Sequence, residues 1–228
     1  MRPAAALALA FALAGCGGGG DGLRVSAAGS LKPALAGQDG VRVSFAGSDE
    51  LAAQIRQGAR PDVYAAADIE LPAALHAEGL VERPVAFAAN RLVVAVAPGS
   101  AIDSLEDLAR GGVRIAIGTE SVPAGAYARR ALARLDPRTR DAILGNVRSR
   151  EPDVSGIVGK VTQRAVDAGF VYRTDVAASG GRLRAAAVLG EKVRYGAAVV
   201  KGARDPRAAR AFLERLPDLA RAAGFEAP

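Results

Sequence analysis

The 228-residue chain carries 30 Lys and Arg against 24 Asp and Glu, a net charge of +6, with one cysteine and one histidine. A single cysteine excludes an intrachain disulfide and a CxxC metal site, and any Ser-His-Asp triad or histidine-bearing metal centre would rest on His76 alone. Half the residues are hydrophobic but only 4% are aromatic, so Ala, Val and Leu must do the packing, and the scattered arginines lack the aromatic neighbours that a nucleic-acid surface needs.

At the start, Arg2 precedes an apolar run over 4–13 that is too short to span a bilayer. It leads to Leu13-Ala14-Gly15-Cys16, which resembles the lipobox of bacterial lipoproteins. That resemblance implies cleavage before Cys16, its acylation, and an exported protein tethered to the membrane through the Gly-rich segment that ends at residue 22. An ordinary signal peptide whose apolar run happens to end in Cys is the alternative. Residues 1–22 are therefore set apart from the fold, and no later run approaches membrane-spanning length.

From there strand and helix patterns alternate. A strand over 23–28 precedes a short helix over 31–36; a strand over 41–46 precedes a helix over 50–57; a strand over 62–67 precedes a helix over 69–78. A long apolar strand over 91–97 ends at Pro98-Gly99, and a helix over 104–110 follows. The strand over 114–118 leads into the longest predicted helix, over 123–135. A helix over 153–168, strands over 169–172, 184–188 and 194–200, and a helical region over 206–223 with Pro217 as a candidate break complete the chain. The alternation argues for an α/β fold with parallel sheets. Right-handed crossovers then bring every strand-to-helix turn to one sheet edge, where such folds bind ligands.

Three of those turns are lined with small, uncharged residues: Ala27-Ala28-Gly29-Ser30-Leu31, Ala46-Gly47-Ser48-Asp49 and Ser121-Val122-Pro123-Ala124-Gly125. Helix starts expose unpaired N–H groups at the positive end of the macrodipole, so several together can hold an anion without a cationic side chain. Taken singly, Ser30 and Ser48 are better explained as plain N-caps; it is their joint placement after consecutive strands that favours a site. Gly156-Ile157-Val158-Gly159-Lys160-Val161 looks like a P-loop but lacks the first glycine and the final Ser or Thr. His76 falls on the polar side of a helix, and Asp62, Asp68 and Glu70 are accounted for by strand alternation and a cap.

The same turns, together with Gln57-Gly58-Ala59-Arg60-Pro61-Asp62-Val63, Asn90-Arg91-Leu92-Val93, Asp167-Ala168-Gly169-Phe170-Val171-Tyr172-Arg173-Thr174-Asp175 and Ala223-Gly224-Phe225, resemble the periplasmic molybdate-binding proteins of ABC importers. The likeness runs over 23–225. It implies a two-lobed, type II periplasmic-binding-protein fold, each lobe a mainly parallel sheet flanked by helices, with 23–88 plus 195–228 in lobe 1 and 89–194 in lobe 2. It further implies molybdate or tungstate held by hydroxyls and backbone amides of Ser30, Ser48, Ala124, Val154 and Tyr172, with no cofactor and no direct ligand to the metal. Val147 is the alternative to Val154, and a core tyrosine bonded to backbone is the alternative for Tyr172. Two features depart from the family: the segment between Ser30 and Ser48 is short, and 146–154 is unusually charged. Asp49, Glu151 and Asp153 would oppose an anion unless they point outward, with Lys32 and Arg173 available to offset them.

The resulting expectation is a monomeric, lipid-anchored, extracytoplasmic receptor that delivers molybdate or tungstate to a membrane ABC permease and is neither an enzyme nor a nucleic-acid binder. A receptor for another tetrahedral oxyanion or a small organic acid is the second reading, and an exported hydrolase a remote third.

Overall fold

The computed structural model describes residues 22–228; Cys16 and the leader lie outside them. Strands β1 (Leu23–Ala28), β2 (Val41–Ala46) and β3 (Val63–Ala66) run parallel, followed respectively by α1 (Lys32–Leu35), α2 (Ser48–Arg56) and α3 (Glu70–Ala77). The twelve-residue β4 (Val85–Val96) then leads to a second parallel group. Its strands are β5 (Ile115–Gly118), β6 (Val147–Glu151) and β7 (Ala168–Tyr172), and its helices are α4 (Pro123–Leu132), α5 (Pro137–Gly145), α6 (Val154–Thr162) and α7 (Arg173–Ala178). The sixteen-residue β8 (Arg184–Val199) and α8 (Pro206–Ala222) close the chain.

These strands make one mixed eight-stranded sheet in the order β2-β1-β3-β8-β4-β7-β5-β6. At its centre β4 and β8 pair antiparallel from Val85↔Ala197 to Val96↔Arg184. The β3 strand joins one end of this ribbon, at 196–199 of β8, and β7 joins the other, at 92–96 of β4. Two parallel three-stranded groups thus hang from opposite ends of a shared antiparallel pair. The expected lobe boundaries at 88/89 and 194/195 fall inside these two central strands.

Composition explains the packing. The inner strands β3, β5 and β7 are buried along their whole length, as parallel strands covered on both faces must be. The few aromatics concentrate at the ribbon, where Tyr195 stands edge-on to Phe225, Tyr172 and Phe87 at 5.2, 5.7 and 6.3 Å between ring centroids. Helix α8 buries Ala209, Phe212, Leu216 and Ala220 along one stripe. It continues through Pro217 because the buried residues on either side hold it despite one lost hydrogen bond. No helix among the described residues is long and apolar enough to cross a membrane.

Several local expectations need correction. The helix expected over 104–110 is only a 3-10 turn, Glu106–Ala109, stopped before Gly111-Gly112. Helix α6 ends at Thr162 because Arg164 takes a left-handed φ of 57°. The strands expected over 184–188 and 194–200 are one strand, whose register slips beside Gly190 (Arg91↔Lys192, then Leu92↔Leu189). The longest helix is α8, not the one opening at Pro123. Both α5 and the edge strand β6 were missed; Asp136 caps α5 through the Thr139 N–H.

Candidate functional site

The parallel groups direct their strand-to-helix turns into a common cleft, as the crossover rule requires. From the first group come Ala28-Gly29-Ser30 after β1, Ala46-Gly47-Ser48 after β2, and Ala67 after β3. From the second come Val122-Pro123-Ala124 after β5, Asp153-Val154 after β6, and Tyr172 at the end of β7. Together they line one small cavity. All five residues expected at a ligand, Ser30, Ser48, Ala124, Val154 and Tyr172, therefore reach one place; Val147, the alternative to Val154, is absent from its wall. A larger recess of about 230 Å³ between α4 and the β4–β8 ribbon is walled by Leu92, Tyr127, Arg130 and Val188, among others, and none of these hydroxyl-bearing turns reaches it.

Neither serine serves as a cap. Ser30 lies in a 3-10 turn (Gly29–Leu31) whose cap has no side-chain bond, and its Oγ is 2.9 Å from the Tyr195 hydroxyl. Ser48 is the first residue of α2, capped by Gly47 without a side-chain bond. Its Oγ accepts the Ala67 N–H at 3.0 Å and its carbonyl accepts the Tyr64 hydroxyl at 2.7 Å. With the Ala67 N–H on one lone pair, the Ser48 hydroxyl keeps its proton and a second lone pair for other partners.

Tyr172 is the most telling group. It is 1% exposed, and its hydroxyl oxygen is buried without a hydrogen-bond partner. Burial above all, then the neighbouring Tyr195, pushes its ionisation well up, so it stays a protonated donor. Its position is fixed from behind: the buried Asp175 carboxylate accepts the Tyr172 N–H at 2.8 Å and seats the start of α7.

Backbone donors come from helix starts. Pro123 brings no N–H of its own, so Ala124 supplies the first donor of α4. Gly125 lets that helix sit against β5, since a Cβ there would collide with the Thr119 and Gly118 carbonyls. Val154 opens α6 in the same way, capped by Asp153, whose carboxylate accepts the Gly156 N–H at 3.0 Å.

The acidic residues do not all point away. Asp153 lines the cavity wall, and Asp49 holds a buried Oδ1 without a partner close to Gly47. Glu151 is engaged by the Ser149 hydroxyl. Arg173 pairs with Glu226 at 3.3 Å and Lys32 is exposed, so neither offsets the cavity carboxylates. Burial instead raises two nearby carboxyls, Asp175 to about 7 and Asp68 to about 6, which limits the negative charge behind the site.

A model of the bacterial extracellular solute-binding protein family matches residues 23–226 of the chain. The protein belongs to that family. It is 36% identical over 170 residues to the molybdate-binding protein ModA of Mycobacterium tuberculosis and of Mycobacterium bovis, an overlap of 72% of this chain. The match spans 63% of the length of those curated relatives. Among solved structures, the periplasmic molybdate-binding protein of Azotobacter vinelandii superposes with a TM-score of 0.77 at 22% identity, covering 90% of this chain and 99% of that one. The sulfate-binding protein SubI of Mycobacterium tuberculosis gives 0.76 at 17%, covering 90% and 86%. At such identities the likeness speaks for the fold, which is the type II periplasmic-binding-protein fold, α/β with a mixed sheet.

In this solute-binding protein the cleft is closed. Gly47 of the first group abuts Pro152 of the second, and Gly29 abuts Ser155. At the cleft's rim Glu70 of α3 pairs with Arg130 of α4 at 3.5 Å. Sequence reasoning missed Tyr195 as a partner of the site and missed the inward placement of Asp153. The one available signal for Tyr195 was its rarity, as one of four tyrosines, on a strand shared by both groups. His76 is exposed, with Nδ1 beside the Val81 carbonyl, far from any nucleophile–base geometry.

Proposed function

We infer that the protein captures molybdate or tungstate in the cleft between its two parallel groups and presents it to a membrane ABC importer. The observation that carries this reading is the partnerless, fully buried Tyr172 hydroxyl, aimed into a cavity ringed by Ser30, Ser48 and the helix starts at Ala124 and Val154. A buried hydroxyl without a partner costs about 1–3 kcal/mol, and an oxyanion bound there removes that cost. Donors arriving from both groups suit a tetrahedral ligand, and neutral donors bind an anion strongly in a cavity without water. The likeness to molybdate-binding relatives points the same way. The lobes on this reading are 23–88 plus 195–228 and 89–194, and the protein acts as a monomer without a cofactor. Acylation at Cys16 places it on the extracytoplasmic face of the membrane, and fatty-acid labelling that persists in a Cys16→Ser variant would count against that anchor.

Titration calorimetry with molybdate, tungstate, sulfate and phosphate tests the reading. Molybdate and tungstate are expected to bind far more tightly than the other two. A preference for sulfate or phosphate would replace it with a receptor for a different oxyanion. Thermal unfolding gives an independent check, because a ligand at about 100 times its dissociation constant adds roughly 2.7 kcal/mol to the folded state.

A further inference from the structure

Away from the cleft, at the end where the strands of the first group begin, arginines gather beside the point where the leader joins the fold. Arg24 of β1 and Arg42 of β2 lie opposite each other in the parallel pair. Arg60 is on the turn before β3, and Arg204 on the turn after β8, whose end pairs with the start of β3 at Val63↔Val199. Ser26 and Ser44 follow on the face of Arg24 and Arg42, and with Arg60 these side chains line a recess of about 340 Å³. No carboxylate is among the described residues that line it. Asp62 lies behind, 1% exposed, where it accepts the Arg24 N–H at 2.8 Å and the Arg204 N–H at 2.7 Å. Of the acids on neighbouring turns, Asp39 is exposed outside the recess and Asp205 caps α8 through the Ala208 N–H at 2.9 Å.

We propose that this face docks on an anionic membrane surface, its recess taking the phosphate groups of phospholipids. Guanidinium forks beside hydroxyls are the donors that phosphate oxygens match, and no aromatic side chain among the described lining residues offers a base something to stack on. The entry of the chain selects the partner. Gly22 sits at this end, its carbonyl accepting from Arg204 Nη2 at 3.3 Å, and the Leu23 N–H donates to the Gly40 carbonyl at 2.9 Å. Only the six residues 17–22 separate Cys16 from β1, so an acyl chain on Cys16 lies within about 25 Å of Leu23 even with that segment fully extended. Each arginine held near an anionic surface strengthens partition about fivefold. The cleft, at the opposite ends of β1, β2 and β3, is then kept off the lipid. The proposal rests on the Cys16 anchor for nearness to the bilayer and on nothing about which oxyanion the cleft takes.

The test is cosedimentation of residues 17–228, which hold the whole described fold without the acylation site, with vesicles of phosphatidylcholine alone and of phosphatidylcholine and phosphatidylglycerol at three parts to one. At low salt the chain is expected to bind the anionic vesicles and not the neutral ones, and to leave them as salt rises. Arg42→Glu with Arg60→Glu should weaken partition at least tenfold. Arg148→Glu with Arg150→Glu, on the edge strand β6 of the second group, changes the net charge equally and should cost less than about threefold. Equal losses in the two pairs, or no binding to anionic vesicles, would overturn the proposal. Displacement by inorganic phosphate at constant ionic strength would overturn it too, by making the recess a site for soluble phosphate. A second measurement needs no charge reversal: the 17–228 chain has no cysteine, so a bimane label can be placed at Ser44→Cys or at Asp141→Cys on α5. Anionic vesicles should shift the Ser44→Cys label to the blue and leave the Asp141→Cys label unchanged, and the reverse pattern refutes the docking face. Fatty-acid labelling that persists in Cys16→Ser would remove the anchor, while vesicle binding by the unacylated chain would still establish the surface.

Discussion

Gly47 and Pro152 meet across the cleft so closely that a Cβ on Gly47 would lie 2.5 Å from the Pro152 carbonyl oxygen. Gly47 itself has φ −60° and ψ 140°, a conformation any residue adopts, so glycine is needed there for the opposite wall and not for its own backbone. Gly47→Ala should therefore hold the groups apart, lowering oxyanion affinity tenfold or more, while the ligand-free protein unfolds at the same temperature or slightly higher. Wild-type affinity in calorimetry would mean that the two groups do not need to meet this closely.

Tyr172→Phe should move stability and binding in opposite directions. It deletes a buried hydroxyl that has no partner in the ligand-free site, so unfolding in denaturant should show equal or greater stability. Molybdate affinity should fall about tenfold or more. A loss of stability without ligand would show that the hydroxyl is already satisfied.

Ser48→Ala differs from Ser30→Ala in what it leaves behind. Removing the Ser48 hydroxyl orphans the buried Ala67 N–H, costing about 1–3 kcal/mol of stability together with affinity. Equal stability in the ligand-free Ser48 variant and the parent would contradict the assigned bond.

The Asp175 carboxyl is raised to about 7 by burial, above its ordinary value. The folded state therefore holds a proton that the unfolded chain has already released. Stability should be highest below the unfolded pKa, fall as pH rises from about 4 to about 7, and level off above that. Asp68, raised to about 6, adds a fall of the same sign ending about one unit lower. Asp175→Asn should flatten much of this slope in urea melts taken at several pH values; an unchanged slope would locate the proton elsewhere.

At the rim, Glu70 and Arg130 pair at 3.5 Å but both are largely exposed. Glu70→Ala should change affinity less than about threefold, and salt should abolish the difference. A large, salt-resistant loss would make this pair a true clasp.

The lining of the cavity was legible because its residues sit at strand-to-helix turns, where short apolar runs give way to Gly, Ser and Pro. Ser30, Ser48, Ala124, Val154 and Tyr172 could be located from local pattern and family likeness without knowing a single contact. What the serines do with their oxygens was not legible. Ser30 meets Tyr195 at a separation of 165 residues and Ser48 meets Ala67 from the turn after β3, on the far side of β1, so both looked like caps. Strand β6 was hidden for a different reason: an edge strand reading Val-Arg-Ser-Arg-Glu buries only alternate residues and offers little apolar signal. The bend in β8 was read as a chain break because the residues around Gly190 are polar and turn-like, although pairing with β4 carries the strand through.

The shared β4–β8 ribbon governs how the molecule can move. Two loops joining separate sheets would act as a loose joint, free to swing through many angles. Here the connection is a hydrogen-bonded pair of strands anchored at both ends, so opening must flex both together, like a leaf spring with a rest position. The register slips at Ala86/Ala88, Arg91/Leu92 and Val94/Ala95 are where that spring is thinnest. Any change in the angle between the two parallel groups must then pass through the sheet itself.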